Sequence, residues 1–189
     1  MAPGSPQSRW LEDPPPADGR KVVISDTDHY APGRGDALWA RKSFLRGHHP
    51  ILMDFGHIGG VAPADPSAGA PMSFEAFEAA RYAMGDTLRY ARKMNLLGME
   101  PRGDLSSTGY ALADPGAEYL VLQASELADP FDVTVDAGTY RAEWFSLEGR
   151  ETVEGDDVSV DGSGTITLTA PFDGHGPVVV HLRRGTDRS

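Results

Sequence analysis

The apolar residues of this 189-residue chain change their period near residue 100, and that change limits the fold more than any other feature. Before it, short β-branched runs alternate with long segments of helical spacing. After it, short alternating segments follow one another, each closed by glycine, proline or aspartate. Strand–helix alternation implies parallel strands with helical crossovers, whereas closely spaced short strands imply antiparallel sheets. One chain therefore holds two kinds of architecture, an α+β multidomain arrangement.

In the first half, "KVVIS" reads as a short buried strand of the parallel type. A polar loop, "DTDHYAPGRGD", leads to Asp36, which can cap a helix over "ALWARKSFLRG". Leu38, Trp39, Lys42 and Leu45 recur there at helical spacing, and Gly47 is placed to stop it. "PILMDF" predicts a second strand. Ser73 is placed to cap a long helix whose apolar stripe is Phe77, Met84, Leu88, Ala91 and Met94, ending at Gly98. Two βα units result, over residues 21–98, preceded by a disordered arm at 1–20.

The second half predicts seven strands: "TGYALAD", "AEYLVLQ", "FDVTVD", "TYRAEWFS", "DVSVD", "TITLTA" and "PVVVHLRR". Turn sequences such as "DPG", "DAG" and "DGSG" separate them. This grammar predicts an antiparallel β-sandwich over residues 105–185, with the boundary in "MEPRGDLSS" and no internal repeat.

Charge narrows the partners. Residues 1–104 carry 12 basic and 13 acidic side chains, but residues 105–189 carry 5 and 15, within a formal net charge of -11. So acidic a half repels a phosphate backbone and an anionic membrane surface, so neither nucleic acid nor membrane is an expected partner. No cysteine is present, which excludes disulfides and thiolate metal sites. The opening residues lack the basic-then-apolar pattern of a secretion signal, and the sequence does not assign a compartment.

The candidate chemistry lies where the predicted parallel strands end, because ligands bind at the carboxyl ends of strands in such folds. Asp26, Asp28 and His29 are the candidate catalytic residues; Tyr30, Asp54 and His57 are the candidate substrate-binding residues. Two carboxyl groups flanking one bond are what glycosidic hydrolysis requires, and residues two apart on an extended segment face the same way at roughly 6–7 Å. The plainer reading is that the aspartates cap and fix a loop and that His29 is structural. His48-His49 lacks converging ligands, and the acidic stretch "EGDDVSVDGSG" does not match a calcium-loop pattern, so no metal or cofactor is expected. Tyr140 and Trp144 share a strand face with Ala142 and are expected in the core. The other reading makes them a platform for carbohydrate or collagen.

Taken together, "KVVISDTDHY", "LWARKSFLRGHHPILMDF", "ARYAMGDTLRYARKMNLLGMEPRGDLSSTGYALADPGAEYLVLQ", "AGTYRAEWF" and "TAPFDGHGPVVVHLRR" resemble the C-terminal part of apiosidase-like glycoside hydrolases. Those are bacterial (β/α)8-barrel proteins, often exported, that end in a β-sandwich of the collagen-binding type. The resemblance covers roughly residues 20 to 184. It implies that residues 21–98 are a partial (β/α) barrel segment followed by the appended sandwich, and that the parent activity is hydrolysis of a polysaccharide. Where the family pattern often carries tryptophan after "DTDH", this chain has Tyr30-Ala31. A (β/α)8 barrel needs about 250 residues, so the chain is expected to be inactive by itself. The partners expected are a carbohydrate ligand and either the missing barrel half or a second copy. A carbohydrate- or collagen-binding module without enzymatic activity, and a truncated gene product, remain as alternatives.

Overall fold

The computed structural model describes residues 12–26, 37–52, 78–127, 129–173 and 176–185. The chain divides into two compact units: Met1–Phe44 with His48–Lys93, and Leu45–Gly47 with Met94–Ser189. Among the described residues the architecture is α+β, mostly sheet, with two α-helices.

In the first unit, β1 (Val23–Asp26) and β2 (His48–Ile51) pair in parallel, with Val23 opposite His48 and Asp26 opposite Ile51. Helix α1 (Ala37–Leu45) lies between them in sequence, and α2 (Glu78–Lys93) follows. Gly47, two residues past α1, adopts φ 75°, a left-handed conformation that lets a helix stop at low cost. Trp39 and Ala40 of α1 and Ala83 of α2 form a small apolar core, with Met84 packed against it.

Two hydrogen-bonded groups fix this unit. The buried His48 imidazole bonds through Nδ1 to Ser25 Oγ at 2.8 Å and through Nε2 to the Pro15 carbonyl at 2.7 Å. A carbonyl only accepts, so Nε2 carries a proton. The buried Arg41 guanidinium of α1 donates to the Asp86 carboxylate of α2.

Two local expectations need correction. The second strand is His48–Ile51, two residues earlier than "PILMDF" suggests, because the His48 bonds to Ser25 and Pro15 draw the two histidines into the sheet. Leu88 is 50% exposed. The face of α2 that is buried carries Ala80, Ala83, Asp86, Thr87 and Tyr90, since Asp86 turns inward to Arg41. Within residues 12–20, Pro14 is buried, and the Glu12 carbonyl accepts from Lys42 Nζ at 2.8 Å.

In the second unit a short β3 (Glu100–Pro101) and a single 3-10 turn (Gly103–Leu105) precede the main strands. Those are β4 (Ala111–Asp114), β5 (Glu118–Gln123), β6 (Phe131–Val135), β7 (Gly138–Ser146), β8 (Thr152–Glu154), β9 (Val158–Val160), β10 (Gly164–Leu168) and β11 (Val178–Arg184). The larger sheet runs β3-β4-β5-β11-β7-β8, with β9 also paired to β7; β6 and β10 form a second sheet of two strands. All pairings in this unit are antiparallel.

One apolar core joins the two sheets. Phe131, Val133 and Val135 of β6 meet Val121, Val180 and Trp144 of the larger sheet. The alternation of β6, inward at every odd residue, follows from the pleat. Phe131 and Trp144 meet edge to face with centroids 6.1 Å apart, as do Tyr119 and Tyr140 at 5.5 Å. The Tyr119 hydroxyl accepts from the amides of Gly116 and Asp136, while the Tyr140 hydroxyl donates to the Asp136 carbonyl. Burial, and then the neighbouring Tyr119 phenol, pushes the Tyr140 hydroxyl up to about 12, so it stays a neutral donor.

Trp144 also dictates a glycine. A Cβ on Gly155 would lie 2.7 Å from the Trp144 indole nitrogen, closer than packed atoms approach. Replacing Trp144 by Ala is expected to lower unfolding free energy by about 3–5 kcal/mol. Gly155→Ala is expected to cost about 1–3 kcal/mol by overpacking. Urea titration checks both; a loss below about 0.5 kcal/mol for either would contradict this packing.

Candidate functional site

The pleat of β1 and β2 separates their side chains into two faces. Ser25 and His48 lie on the buried face, joined by their hydrogen bond. Ile24, Asp26, His49 and Ile51 lie on the other, which is open: Ile24 is 47% and Ile51 44% exposed, and His49 is exposed. Val22, just before β1, continues this open strip at 74% exposure.

Asp26 is therefore placed at the carboxyl end of a parallel strand, half-buried, on the open face. That is where a strand-end carboxylate would reach a ligand lying across the sheet. The other candidates, Asp28, His29, Tyr30, Asp54 and His57, lie outside the described residues. The described structure thus positions one member of the predicted set.

Other expectations fall on described residues. His48 is a buried structural histidine, and its two ring nitrogens are taken by Ser25 and Pro15. Among the described residues no group of three or more His, Asp or Glu side chains is arranged to hold a metal ion. Tyr140, Trp144 and Phe145 are all buried and present no aromatic platform to solvent.

A buried histidine–glutamate pair in the larger sheet was not anticipated from the sequence. His181 of β11 and Glu118 of β5 are both buried, with Nε2 and Oε1 2.7 Å apart. The second oxygen, Glu118 Oε2, accepts the Asn95 amide at 3.2 Å. Glu143 lies opposite His181 in the pairing of β7 with β11. The available signal was a histidine inside "PVVVHLRR" and a glutamate opening "EYLVLQ", polar residues within otherwise apolar runs. Burial pulls the His181 imidazole below its ordinary 6.5, against the opposing pull of the Glu118 and Glu143 carboxylates. The pair ties a loop to two strands and lacks the exposure a catalytic dyad would need.

Comparison with known proteins gives structural neighbours only. No protein-family profile matches the chain, and no curated protein matches it. A solved structure described as a glycoside hydrolase superposes with a TM-score of 0.63 at 12% identity, covering 94% of this chain and 46% of that one. A glycoside hydrolase family 5 structure from Bacteroides vulgatus ATCC 8482 superposes with a TM-score of 0.51 at 13% identity, covering 78% of this chain and 35% of that one. The fold is glycoside hydrolase-like. This chain spans less than half the length of either neighbour.

The lowered His181 value sets a pH dependence. A base whose folded value is depressed binds its proton more readily in the unfolded chain, so acid favours unfolding. Its contribution is fully present above the unfolded value of 6.5 and declines as pH falls below it. Unfolding free energy is expected to drop between pH ~6.5 and ~5, before most carboxylates titrate. The His181→Gln variant, which keeps a donor toward Glu118, is expected to lose part of that slope. Equal slopes in the two proteins would remove His181 as the cause.

Proposed function

We propose that this chain is part of a bacterial, apiosidase-like glycoside hydrolase acting on polysaccharide and that it is inactive by itself. In this reading residues 21–98 supply two βα units of a (β/α)8 barrel, and residues 105–185 form its appended β-sandwich of the collagen-binding type. The observation that supports it is the superposition of 94% of the chain on one glycoside hydrolase with a TM-score of 0.63. The parallel pairing of β1 with β2 and the core shared by the two antiparallel sheets are what such an arrangement requires.

Asp26 is then a carboxylate at the barrel mouth, with Asp28 and His29 continuing the catalytic rim and Tyr30, Asp54 and His57 contacting sugar. Glycosidic hydrolysis uses two carboxyl groups, about 5 Å apart for retention or roughly 6.5–9.5 Å for inversion. They generally stand on different strands, and in this reading at least one essential carboxylate is supplied by barrel strands other than β1 and β2. The alternative, a carbohydrate- or collagen-binding module without enzymatic activity, is weakened by the burial of Trp144 and Tyr140.

Two measurements test the proposal. The purified chain, assayed by reducing-end release on plant and bacterial polysaccharides, is expected to give no turnover; measurable hydrolysis would overturn its inactivity. The genomic sequence preceding the Met1 codon is expected to encode βα units in frame or in an adjacent gene. Unrelated sequence there would count against a shared barrel.

A further inference from the structure

The open face of the β1–β2 pair poses a physical problem. Strands of parallel sheets are normally covered on both faces, and an isolated two-stranded sheet is marginal in water. Here one face is covered, while Val22, Ile24 and Ile51 on the other are exposed. The register arranges the open face as a two-by-two array: Ile24 stands level with His49, and Asp26 with Ile51. The isoleucines occupy one diagonal, and Asp26 and His49 occupy the other.

Such an array is self-complementary. A two-fold axis lying in the face along the isoleucine diagonal sets Ile24 on Ile24 and Ile51 on Ile51 of a second copy. With strands ~4.8 Å apart and residues rising ~3.3 Å, the same rotation brings each Asp26 to within about 3 Å, in projection, of the partner's His49. The strands of the two copies then cross at roughly 70°, within the range seen for packed sheets. Isologous contacts of this kind close into dimers. Charge favours this face as well: it belongs to residues 1–104, which are nearly neutral, while the excess acid lies in residues 105–189.

We infer that the open face of β1 and β2 is a homodimer contact, in which Ile24 and Ile51 stack on their counterparts and Asp26 pairs with the partner's His49. This inference stands on the array itself and concerns these 189 residues by themselves, because Asp26 does not line a barrel mouth and pair with the partner's His49 at once. A strip of about five residues is far smaller than the roughly 20–30 residues a side of a standard interface. The dimer is therefore weak and populated at high concentration.

Sedimentation velocity from about 10 to about 500 µM tests it, a range that brackets a weak dissociation constant. The expected result is a concentration-dependent shift from the 20.3 kDa chain toward twice that mass. Ile24→Asp is expected to weaken the dimer at least tenfold. Asp26→Lys is expected to weaken it too, and adding His49→Glu to that variant is expected to restore it.

A chain that stays monomeric throughout overturns the inference and leaves further strands of a longer polypeptide as the occupant. A dimer indifferent to Ile24→Asp overturns it as well, by placing the contact elsewhere. Failure of the charge exchange to restore pairing would overturn the crossed geometry.

Discussion

Strand β11 is the constraint on which the second unit of this protein depends. It pairs antiparallel with β5 on one side and β7 on the other, and it is buried on both faces from Val178 to Leu182. Val178, Val180 and Leu182 enter the core shared by the two sheets, whereas Val179 and His181 point to the opposite side. A central strand buried twice must be apolar nearly throughout, and any polar residue in it needs a partner. His181 meets that demand through Glu118, and Glu118 in turn holds the Asn95 amide. Packing and hydrogen bonding thus converge on one strand.

The first unit has a different balance. Among its described residues Trp39, Ala40 and Ala83 pack together, and hydrogen-bonded groups join the elements: Ser25 and Pro15 around His48, and Asp86 against Arg41. Buried ion pairs roughly offset their own desolvation, so they fix geometry more than they add stability. The Arg41–Asp86 pair selects which face of α2 turns inward and leaves Leu88 outside. Satisfied polar groups on one face of β1–β2 and exposed isoleucines on the other describe a sheet fitted to one neighbouring layer and open to a second.

Much of the second unit was legible because a period of two residues is a direct record of which face is buried. Phe131, Val133 and Val135 carry that record, and turns such as Asp114-Pro115-Gly116, with Gly116 at φ 84°, mark where strands reverse. The errors arose where a polar side chain decided the geometry. His48 entered β2 through its ring nitrogens, and Asp86 turned α2, and neither effect appears in hydrophobic spacing. The Glu118–His181 pair was hidden for the same reason: 63 residues separate its members, and only the register brings them together. Of the candidate site, Asp26 was locatable because the end of a parallel strand is a position that sequence reveals. The convergence of loop residues on one ligand is not.

Among the described residues, the second unit closes one core between two sheets, whereas β1 and β2 leave Ile24 and Ile51 exposed, so β11 is held more firmly than β1. Native-state hydrogen exchange on the full chain, at concentrations where it is monomeric, tests this directly, since amides in self-sufficient cores exchange only by global unfolding. The account predicts that amides of β5, β7 and β11 share the highest protection, while those of Val23–Asp26 in β1 exchange through local opening at much lower free energy. Equal protection of β1 and β11 would contradict it, by showing that the two-stranded parallel sheet is as firmly held as the sheet built around β11.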